Sequence, residues 1–217
     1  MRGRWVTRLG MLLIAGGLVA LGYVAWQLYG TTYVAKRDQE RTVERTLQAW
    51  AKPVTVRRAG PVPKGEATAL VRIPAFGKSY VVPVFEGTDD DVLARGYGHF
   101  EGAAGPGQVG NYALAAHRIT HGEPLRRMPE LRPGDRVVVE TRAATYTYVL
   151  DTNPNDLVVD FTQGWVVDPL PTNPAGGVQP AQRPGQRLIT LTTCAELFHT
   201  DERLIAFGHL VTTDRKR

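Results

Sequence analysis

The sequence predicts a mainly β protein: a closed or nearly closed barrel of eight short strands with small helices between them, preceded by one transmembrane helix. Three observations favour this fold class. Between residues 68 and 210, short runs rich in Val, Ile, Thr, Tyr and Phe alternate with turns that contain Gly and Pro, which is typical of an all-β domain. The helix-favouring stretches inside that region are short. Ahead of it, residues 9–28 form a run of twenty residues without a single charge.

The uncharged run is long enough to cross the hydrocarbon core of a bilayer as a helix, which takes about 20 residues. Arginines precede the run and aromatic residues close it, in the order Arg2, Arg4, Arg8, Trp26 and Tyr29. By the positive-inside rule, residues 1–8 lie in the cytoplasm, residues 9–29 form a membrane anchor, and everything that follows lies outside the cell. The run lacks a clear small-x-small cleavage site, which favours an uncleaved signal-anchor over a cleaved secretory signal.

Residues 30–66 are expected to connect the membrane to the folded domain. Residues 33–50 are charged and helix-favouring, and they indicate a surface or stalk helix that leaves the membrane. The stretch 51–67 contains three prolines and two glycines, which is typical of a linker. We therefore expect one folded domain over residues 67–217.

The formal net charge of +5 does not indicate a nucleic-acid partner. Three arginines precede the anchor and three basic residues end the chain, and no stripe of Lys and Arg with interleaved aromatic residues occurs. The chain has one cysteine, which rules out an internal disulfide. The stability of the exported domain must then come from a hydrophobic core, which about 150 residues can supply.

The expected strands are the runs at residues 68–73, 80–85, 111–117, 136–141, 145–150, 157–159, 187–193 and 203–210. A short helix is expected over residues 88–95 after an acidic first turn, and a short helix or turn over residues 123–131 before a Pro-Gly pair. Residues 98–110 are a glycine-rich loop, and residues 165–186 are a long loop with five prolines. We expect this second loop to flank the functional groove because it leads into the strand at 187–193.

The one cysteine, Cys194, is either an inert core thiol or a reactive group. The strand at 187–193 delivers it at its C-terminal end, and the next strand begins with Arg203. A thiol that faces a guanidinium across two neighbouring strand ends suits acyl transfer, because the thiol attacks a carbonyl and the arginine meets the developing oxyanion.

A cysteine nucleophile also needs a base, or a cation that stabilises its thiolate. His117 is the best candidate because it ends an apolar strand, as Cys194 does, so that both side chains can reach one rim of the barrel. The other histidines are two in loops beside His117, one in a loop after Cys194 and one inside the last strand: His99, His121, His199 and His209. The first two of these stay as alternatives.

Three segments together form a recognisable pattern: Ala116-His117-Arg118, Thr190-Leu191-Thr192-Thr193-Cys194 and Arg203. They resemble the catalytic histidine, the TLxTC strand and the arginine of sortases, the membrane-anchored cysteine transpeptidases of Gram-positive bacteria. The segments GHFEG at 98–102 and GNYALAAHR at 110–118 look most like class E, the actinobacterial housekeeping branch. Ala116 departs from the glycine of many relatives, which is a small change.

The resemblance implies a sortase-type β-barrel over roughly residues 67–213 and a two-step reaction. Cys194 attacks the Thr–Gly bond of a C-terminal sorting signal in a secreted protein, Arg203 stabilises the oxyanion, and His117 protonates the departing amine. An amine of a lipid-linked peptidoglycan precursor then resolves the thioester. Class E relatives are associated with a Leu-Ala-x-Thr-Gly signal, and no cofactor is implied.

Four further residues are expected at the substrate. Tyr112, five residues before the histidine, is placed beside the second signal position, with a rim aromatic of the barrel as the alternative. Thr192, Thr193 or the backbone N–H of Ala195 is expected to contribute to the oxyanion site. Thr192 shares the face of the thiol because strand residues alternate between two faces.

The sequence contains no evident cluster of metal ligands. The run Asp89-Asp90-Asp91 is better explained as the acidic first turn of a helix than as a calcium site. Calcium activation, known in another sortase class, stays open because other carboxylates are scattered along the chain: Glu101, Asp151 and Asp156.

Three other functions are compatible with parts of the sequence. An L,D-transpeptidase is also an exported β-rich cysteine enzyme of the cell wall, but its cysteine follows a glycine, whereas Thr193 precedes Cys194 here. A membrane-tethered binding domain without chemistry would hold Cys194 as a buried core thiol. A pilin-polymerising sortase often carries an N-terminal lid with an Asp-Pro-aromatic motif, which residues 31–65 lack.

Overall fold

A computed structural model describes residues 2–52, 65–195 and 201–216. Within these residues the α-helices are α1 (Arg2–Ala25), α2 (Thr31–Ala51) and α3 (Asp90–Leu93). The strands are β1 (Ala69–Arg72), β2 (Val82–Glu86), β3 (Tyr97–His99), β4 (Gly110–Ala115), β5 (Arg136–Glu140), β6 (Ala144–Leu150), β7 (Val158–Asp160), β8 (Arg187–Cys194) and β9 (Glu202–Arg215). One π-helical turn, Trp26–Gly30, joins α1 to α2.

Eight strands close into a barrel in the order β6-β5-β1-β2-β3-β4-β8-β9, and β9 pairs back to β6. Most neighbours are antiparallel, whereas the β2–β3 and β4–β8 pairs are parallel. The remaining strand, β7, pairs with the first residues of β9 and is not part of the ring. The predicted mainly β fold with an eight-stranded barrel is therefore confirmed.

Two strands differ from the sequence prediction. β3 begins the stretch expected to be a glycine-rich loop at 98–110, and the expected strand at 157–159 forms β7 beside the ring. Gly98 does not mark a turn here. A Cβ at this position would lie 2.4 Å from the carbonyl oxygen of Gly87, so glycine allows two segments to approach closely inside a regular strand.

The barrel interior is a continuous hydrophobic core to which strands on all sides contribute. Three of its largest fully buried side chains are Tyr97, Tyr112 and Tyr148. A second, smaller cluster covers the other face of β9, where Ile205 and Phe207 pack with Val166. This second cluster fixes residues 164–167 against the barrel.

The N-terminal helix α1 contains Trp5–Ala25, a segment long and apolar enough to cross a membrane. The apolar window of this segment is not buried against the rest of the protein. The anchor expected at residues 9–29 overlaps this segment and ends in the π-helical turn. The helix therefore has the length and composition of a membrane anchor.

The second helix, α2, is docked on the barrel rather than standing free as a stalk. Its buried positions, Ala35, Gln39 and Val43, are four residues apart and therefore lie on one face. The helix contacts β2, and near its end the Lys216 ammonium lies 4.9 Å from the centroid of the Trp50 ring. The linker expected after the helix falls largely on residues 53–64, outside the described residues.

The shorter elements depart from expectation in detail. The helix expected over residues 88–95 is the single turn α3, with Asp89 at its N-cap. The stretch 123–131 consists of turns and one turn of 3-10 helix, Met128–Glu130, because its prolines interrupt a longer helix. The loop at 165–186 overlaps a 3-10 turn, Gly164–Val167, and is otherwise irregular up to β8.

Candidate active site

Cys194 is the last residue of β8, and it is paired with Arg203 on the neighbouring strand, β9. The antiparallel register of β8 and β9 pairs the two residues directly. Directly opposed side chains point to the same face of a sheet, with Cβ atoms about 4.5–5.5 Å apart. Cys194 is partly exposed. The thiol and the guanidinium therefore face each other at the end of this strand pair, as the sequence predicts.

The fold brings His117 to the same rim, because β4 and β8 are parallel and their C-terminal ends coincide. Two hydrogen bonds continue the pairing beyond the end of β4. The N–H of Ala116 donates to the carbonyl of Thr192 at 3.2 Å, and the hydroxyl of Thr193 donates to the carbonyl of Ala116 at 2.7 Å. These bonds place His117 beside the end of β8, although 77 residues separate it from Cys194 in sequence.

One cavity of about 390 Å³ is lined by His117, Cys194 and Arg203 together. Its walls also include residues of α3 and residues in the range 159–167. Phe100 and Phe161 supply aromatic surface. The three residues that the sequence singles out for chemistry therefore share one concave site.

The pKa of His117 is lowered to about 4, first by burial and then by repulsion from His121, with Asp90 acting in the opposite direction. The two imidazole rings have centroids 5.0 Å apart and planes inclined by 30°. At neutral pH the His117 imidazole is therefore mostly neutral. Only a small fraction is the protonated imidazolium.

The guanidinium of Arg203 lies at the edge of the cavity. Its central carbon is 5.9 Å from the centroid of the Phe161 ring, and its Nη1 donates to the carbonyl of Glu202 at 3.0 Å. The pKa of Asp160 is lowered, first by hydrogen bonds from the side chain and backbone of Thr162 and to a smaller extent by the charge of Arg203. The Asp160 carboxylate therefore lies close enough to feel the charge of Arg203, and both residues line the cavity.

Residues 71–211 match the family model of the sortase domain. The chain belongs to the sortase family. It is 33% identical to Sortase SrtE1 of Streptomyces coelicolor over 94% of this chain, and 28% identical to Sortase SrtE2 of the same organism over 97% of this chain. The matched region spans 56% of the length of Sortase SrtE1 and 83% of that of Sortase SrtE2.

Solved structures of sortases show the same fold. Sortase E from Streptomyces avermitilis has a TM-score of 0.60 and is 37% identical, and the match covers 71% of this chain and 93% of that one. Sortase E1 from Streptomyces coelicolor, solved with a tripeptide in the active site, has a TM-score of 0.59 and is 32% identical, and this match covers 69% of this chain and 90% of that one. The resemblance to class E sortases is confirmed.

Arg118 is a residue of this sortase to which sequence reasoning assigns no role. Its guanidinium donates to the carbonyl of Cys194 at 3.4 Å and also to that of Ala195. It therefore ties the loop after His117 to the end of the strand that carries the thiol. In the sequence, the feature that could have indicated a role for Arg118 is its position directly after His117 in the motif.

The hydroxyl of Thr193 is used inside the fold. It is buried and donates to the carbonyl of Ala116, so it helps to position the histidine. Both Thr193 and Thr192, one residue earlier on β8, line the cavity, and Thr192 is 7% exposed. Of the two threonines, Thr192 is therefore the one whose hydroxyl is not committed to Ala116.

The expected role of Ala195 as an oxyanion donor is not supported. Its N–H already donates to the carbonyl of Glu202 at 2.9 Å, because the pairing of β8 with β9 continues one residue beyond Cys194. An oxyanion would have to displace this backbone bond. The Ala195 N–H is therefore not free to receive an oxyanion in this structure, and Ala195 does not line the cavity.

Tyr112 lies in the core of the sortase barrel and not beside the substrate. Its side chain is 2% exposed, its ring centroid is 4.9 Å from that of His99, and it does not line the cavity at Cys194. Burial raises the pKa of Tyr112 well above its usual value, and its hydroxyl lacks a hydrogen-bond partner among the described residues. Alternation along β4 turns this side chain inward, so the structure gives no support to the expected contact with the second signal position, which stays a prediction.

Two other histidines support the fold. His99 is buried, with Nδ1 3.0 Å from Glu86 Oε2 and Nε2 3.1 Å from the carbonyl oxygen of Ala104. His209 is paired with Asp151 at 2.8 Å. This pair borders a cavity of about 690 Å³ at the opposite end of β8, which is larger than the Cys194 cavity but is lined by no thiol. His199 lies outside the described residues.

Among residues 2–52, 65–195 and 201–216, no group of three or more His, Cys, Asp and Glu side chains converges to hold a metal ion. Asp90, from the acidic run before α3, lines the cavity, where its charge acts on His117. The absence of a resident cofactor in this sortase stays a prediction.

Proposed function

We propose that this protein is a cysteine transpeptidase that cleaves a C-terminal sorting signal between Thr and Gly and joins the secreted protein to an amine of a cell-wall precursor. The observation that carries the proposal is the register of β8 and β9. It sets Cys194 opposite Arg203 in the cavity that His117 also lines. A nucleophile, a partner for the oxyanion and an acid–base group then lie at one rim.

In the first step the Cys194 thiolate attacks the carbonyl carbon of the signal threonine, and Arg203 donates hydrogen bonds to the oxyanion. As the C–N bond to glycine breaks, His117 gives its proton to the leaving amine, and a thioester remains on Cys194. Because burial and the repulsion from His121 lower the His117 pKa to about 4, its imidazolium is a stronger acid than an ordinary histidine and a minor form at pH 7.

In the second step an amine attacks the carbonyl carbon of the thioester. His117, now neutral, accepts the proton of the amine, and the Cys194 thiolate leaves as the new amide forms. The histidine thus regains the proton that it lost in the first step. Both steps use the same oxyanion partner, Arg203, because both pass through a tetrahedral intermediate at the same carbon.

The proposed signal is Leu-Ala-x-Thr-Gly. Its support is the similarity to class E sortases and the apolar surface of the cavity, to which Phe100, Phe161 and Val166 contribute. Apolar surface of this kind suits the leucine and alanine side chains of the signal. The tripeptide in the active site of sortase E1 from Streptomyces coelicolor agrees with a peptide substrate for the family.

The proposed setting is the outer face of the cell membrane, with the helix α1 as a single-pass anchor. The three arginines at or before residue 8 favour a cytoplasmic N-terminus, which leaves the barrel outside. The partners in this setting are secreted proteins that carry the sorting signal and lipid-linked peptidoglycan precursors that offer the amine.

The test is mass spectrometry of the full-length protein in detergent micelles with a Leu-Ala-x-Thr-Gly peptide and an amine acceptor. We expect cleavage between Thr and Gly with transfer to the amine, and loss of both products in Cys194→Ala. A Leu-Pro-x-Thr-Gly peptide in parallel tests the class E signal, and we expect it to be the poorer substrate.

Other functions give other outcomes in the same assay. An L,D-transpeptidase would join peptidoglycan stem peptides and leave the sorting signal intact. A binding domain would give no product, and its thiol would resist alkylation in the folded protein. Under the proposed function a small alkylating reagent modifies Cys194 readily, since the residue is partly exposed.

A further inference from the structure

The docked helix α2 reaches the loop that follows His117, residues 117–124. Gln39, on the buried face of this helix, is 6% exposed, and its Nε2 donates to the carbonyl of His121 at 3.2 Å. The bond joins residues 82 positions apart in sequence. A buried amide costs free energy unless it is hydrogen-bonded, so this contact explains why a polar residue is tolerated between Ala35 and Val43.

The backbone that Gln39 holds is strained. Three consecutive residues, His121, Gly122 and Glu123, have φ angles of +51°, +86° and +54°. Among the described residues, His121 and Glu123 are the two that adopt positive φ without being glycine. Such conformations cost free energy and persist only when surrounding contacts enforce them.

The packing of Gln39 against this loop is tight. A Cβ placed on Gly122 would lie 2.7 Å from Nε2 and 2.9 Å from Oε1 of Gln39. Glycine at position 122 therefore satisfies both the left-handed backbone and the approach of the helix side chain. The amide of Gln39 covers the middle of the loop directly.

The loop transmits this contact to His117. The imidazole of His121 lies against that of His117 with ring centroids 5.0 Å apart. The loop also closes on itself, since the N–H of Leu125 donates to the carbonyl of His117 at 3.1 Å. A change in the backbone at His121 would therefore shift the ring against which the His117 imidazole packs.

We propose that Gln39 is a positioning residue: through its hydrogen bond to His121, the helix that follows the membrane anchor holds the loop of His117 in the geometry that the Cys194 cavity requires. Gln39 touches neither the substrate nor the reacting atoms and acts through His121. The catalytic consequence rests on the proposed function, whereas the structural consequence, a loop held by the helix, does not.

The test compares the full-length protein in detergent micelles with Gln39→Met and Gln48→Met. Methionine keeps the helix propensity and approximate volume of glutamine but cannot donate. Gln48 lies on the same helix and is exposed, so it is the matched control. The measurements are amide hydrogen exchange of residues 117–124, the pKa of His117 by NMR, and kcat and KM with the signal peptide.

Several titratable or charged groups surround His117 and can affect its pKa. They are His121 on the same loop, Asp90 at α3, and Asp160, Cys194 and Arg203 around the cavity. Only the contact with His121 depends on Gln39. In Gln39→Met we therefore expect the His117 pKa to rise towards the ordinary value of about 6.5, because the loop opens to water and the His121 ring moves away.

In Gln39→Met we also expect exchange in residues 117–124 to be about tenfold faster and KM to stay unchanged, with Gln48→Met like wild type. We expect kcat to fall several-fold, because a displaced His117 imidazole no longer reaches the leaving amine and this loss outweighs the larger fraction of imidazolium. Wild-type exchange and an unchanged His117 pKa in Gln39→Met would overturn the proposal. Equally faster exchange throughout the barrel would also overturn it, by showing a general loss of stability. If wild type itself cleaves no signal peptide, the proposed function fails, but exchange and NMR still decide whether Gln39 holds the loop.

Discussion

Cys194 and Arg203 are direct cross-strand partners at the end of the β8–β9 pair, so the hydrogen-bonded register of the barrel sets the spacing between thiol and guanidinium. Both residues belong to strands rather than to loops. A group held in this way needs little reorganisation when negative charge develops on the substrate. The site therefore relies on the most regular part of the fold for its central pair.

This pairing predicts a strong and specific effect of changing the arginine. We expect Arg203→Ala to lower kcat/KM by about 10²–10³-fold, which is typical of losing an oxyanion partner. Arg203→Lys should recover only part of the activity, because an ammonium lacks the planar fork of the guanidinium. Steady-state kinetics check this, with Arg136→Ala, an exposed arginine at the start of β5, as the control. Wild-type activity in Arg203→Ala would contradict the assigned role.

The low pKa of His117 predicts the acid side of the pH profile. The proposed first step needs the Cys194 thiolate and the His117 imidazolium together. As the pH falls from neutral towards about 4, imidazolium is gained and thiolate is lost in the same proportion, so kcat/KM should be level in this range. Below about 4 His117 is already protonated and only thiolate is lost, so kcat/KM should fall about tenfold per pH unit. In His121→Asn the pH below which kcat/KM falls should be higher, because the repulsion that lowers the His117 pKa is removed. Asparagine is chosen because it tolerates the left-handed backbone at this position. A wild-type inflection near the ordinary histidine pKa of about 6.5 would be incompatible with this burial.

Thr193 is expected to matter through its bond to Ala116. Thr193→Val keeps the shape of the side chain but leaves the buried carbonyl of Ala116 without this donor, so the free energy of unfolding should fall by about 1–3 kcal/mol. kcat should fall as well, because Ala116 directly precedes His117. Thr193→Ser retains the hydroxyl and serves as the control in thermal unfolding and kinetics. Equal stability of the valine and serine variants would argue against this bond.

Removing the buried hydroxyl of Tyr112 is expected to stabilise the protein, whereas removing that of Thr193 is expected to destabilise it. Because it has no hydrogen-bond partner in the described part of the chain, Tyr112→Phe should raise the free energy of unfolding by about 1 kcal/mol. The ratio of cleavage rates for Leu-Ala-x-Thr-Gly and Leu-Pro-x-Thr-Gly peptides should not change. A changed ratio would restore Tyr112 as a specificity residue, contrary to its place in the core.

The features that follow strand logic could be predicted from the sequence. One strand ends at Cys194 and the next begins near Arg203. If the two strands pair as an antiparallel hairpin, these two residues must lie opposite each other, as they do. The placement of His117 at the same rim follows once its strand is parallel to the strand of the cysteine. The order of the strands along the chain and the residues at which they end are enough to predict that these three side chains lie at one rim.

Other features depend on which face a side chain takes, and the sequence pattern does not reveal it. Tyr112 has the right distance from the histidine for a rim position, yet the direction of its strand turns it into the core. The buried stripe of α2 contains alanine and glutamine and so lacks an apolar periodicity that would indicate docking. Gly98 has the composition of a turn, but the close approach of Gly87 requires it within a strand.

The proposed function requires that Cys194 forms an acyl-enzyme with a sorting signal. The most direct measurement is the intact mass of the full-length protein after mixing with a Leu-Ala-x-Thr-Gly peptide in the absence of an amine acceptor. We predict a mass increase equal to the acyl group that ends at the signal threonine, which is the cleaved peptide less one water. It should be located on Cys194, absent in Cys194→Ala and removed by hydroxylamine as a thioester is. An unmodified protein together with intact peptide, while the folded protein's thiol still reacts with an alkylating reagent, would contradict the account.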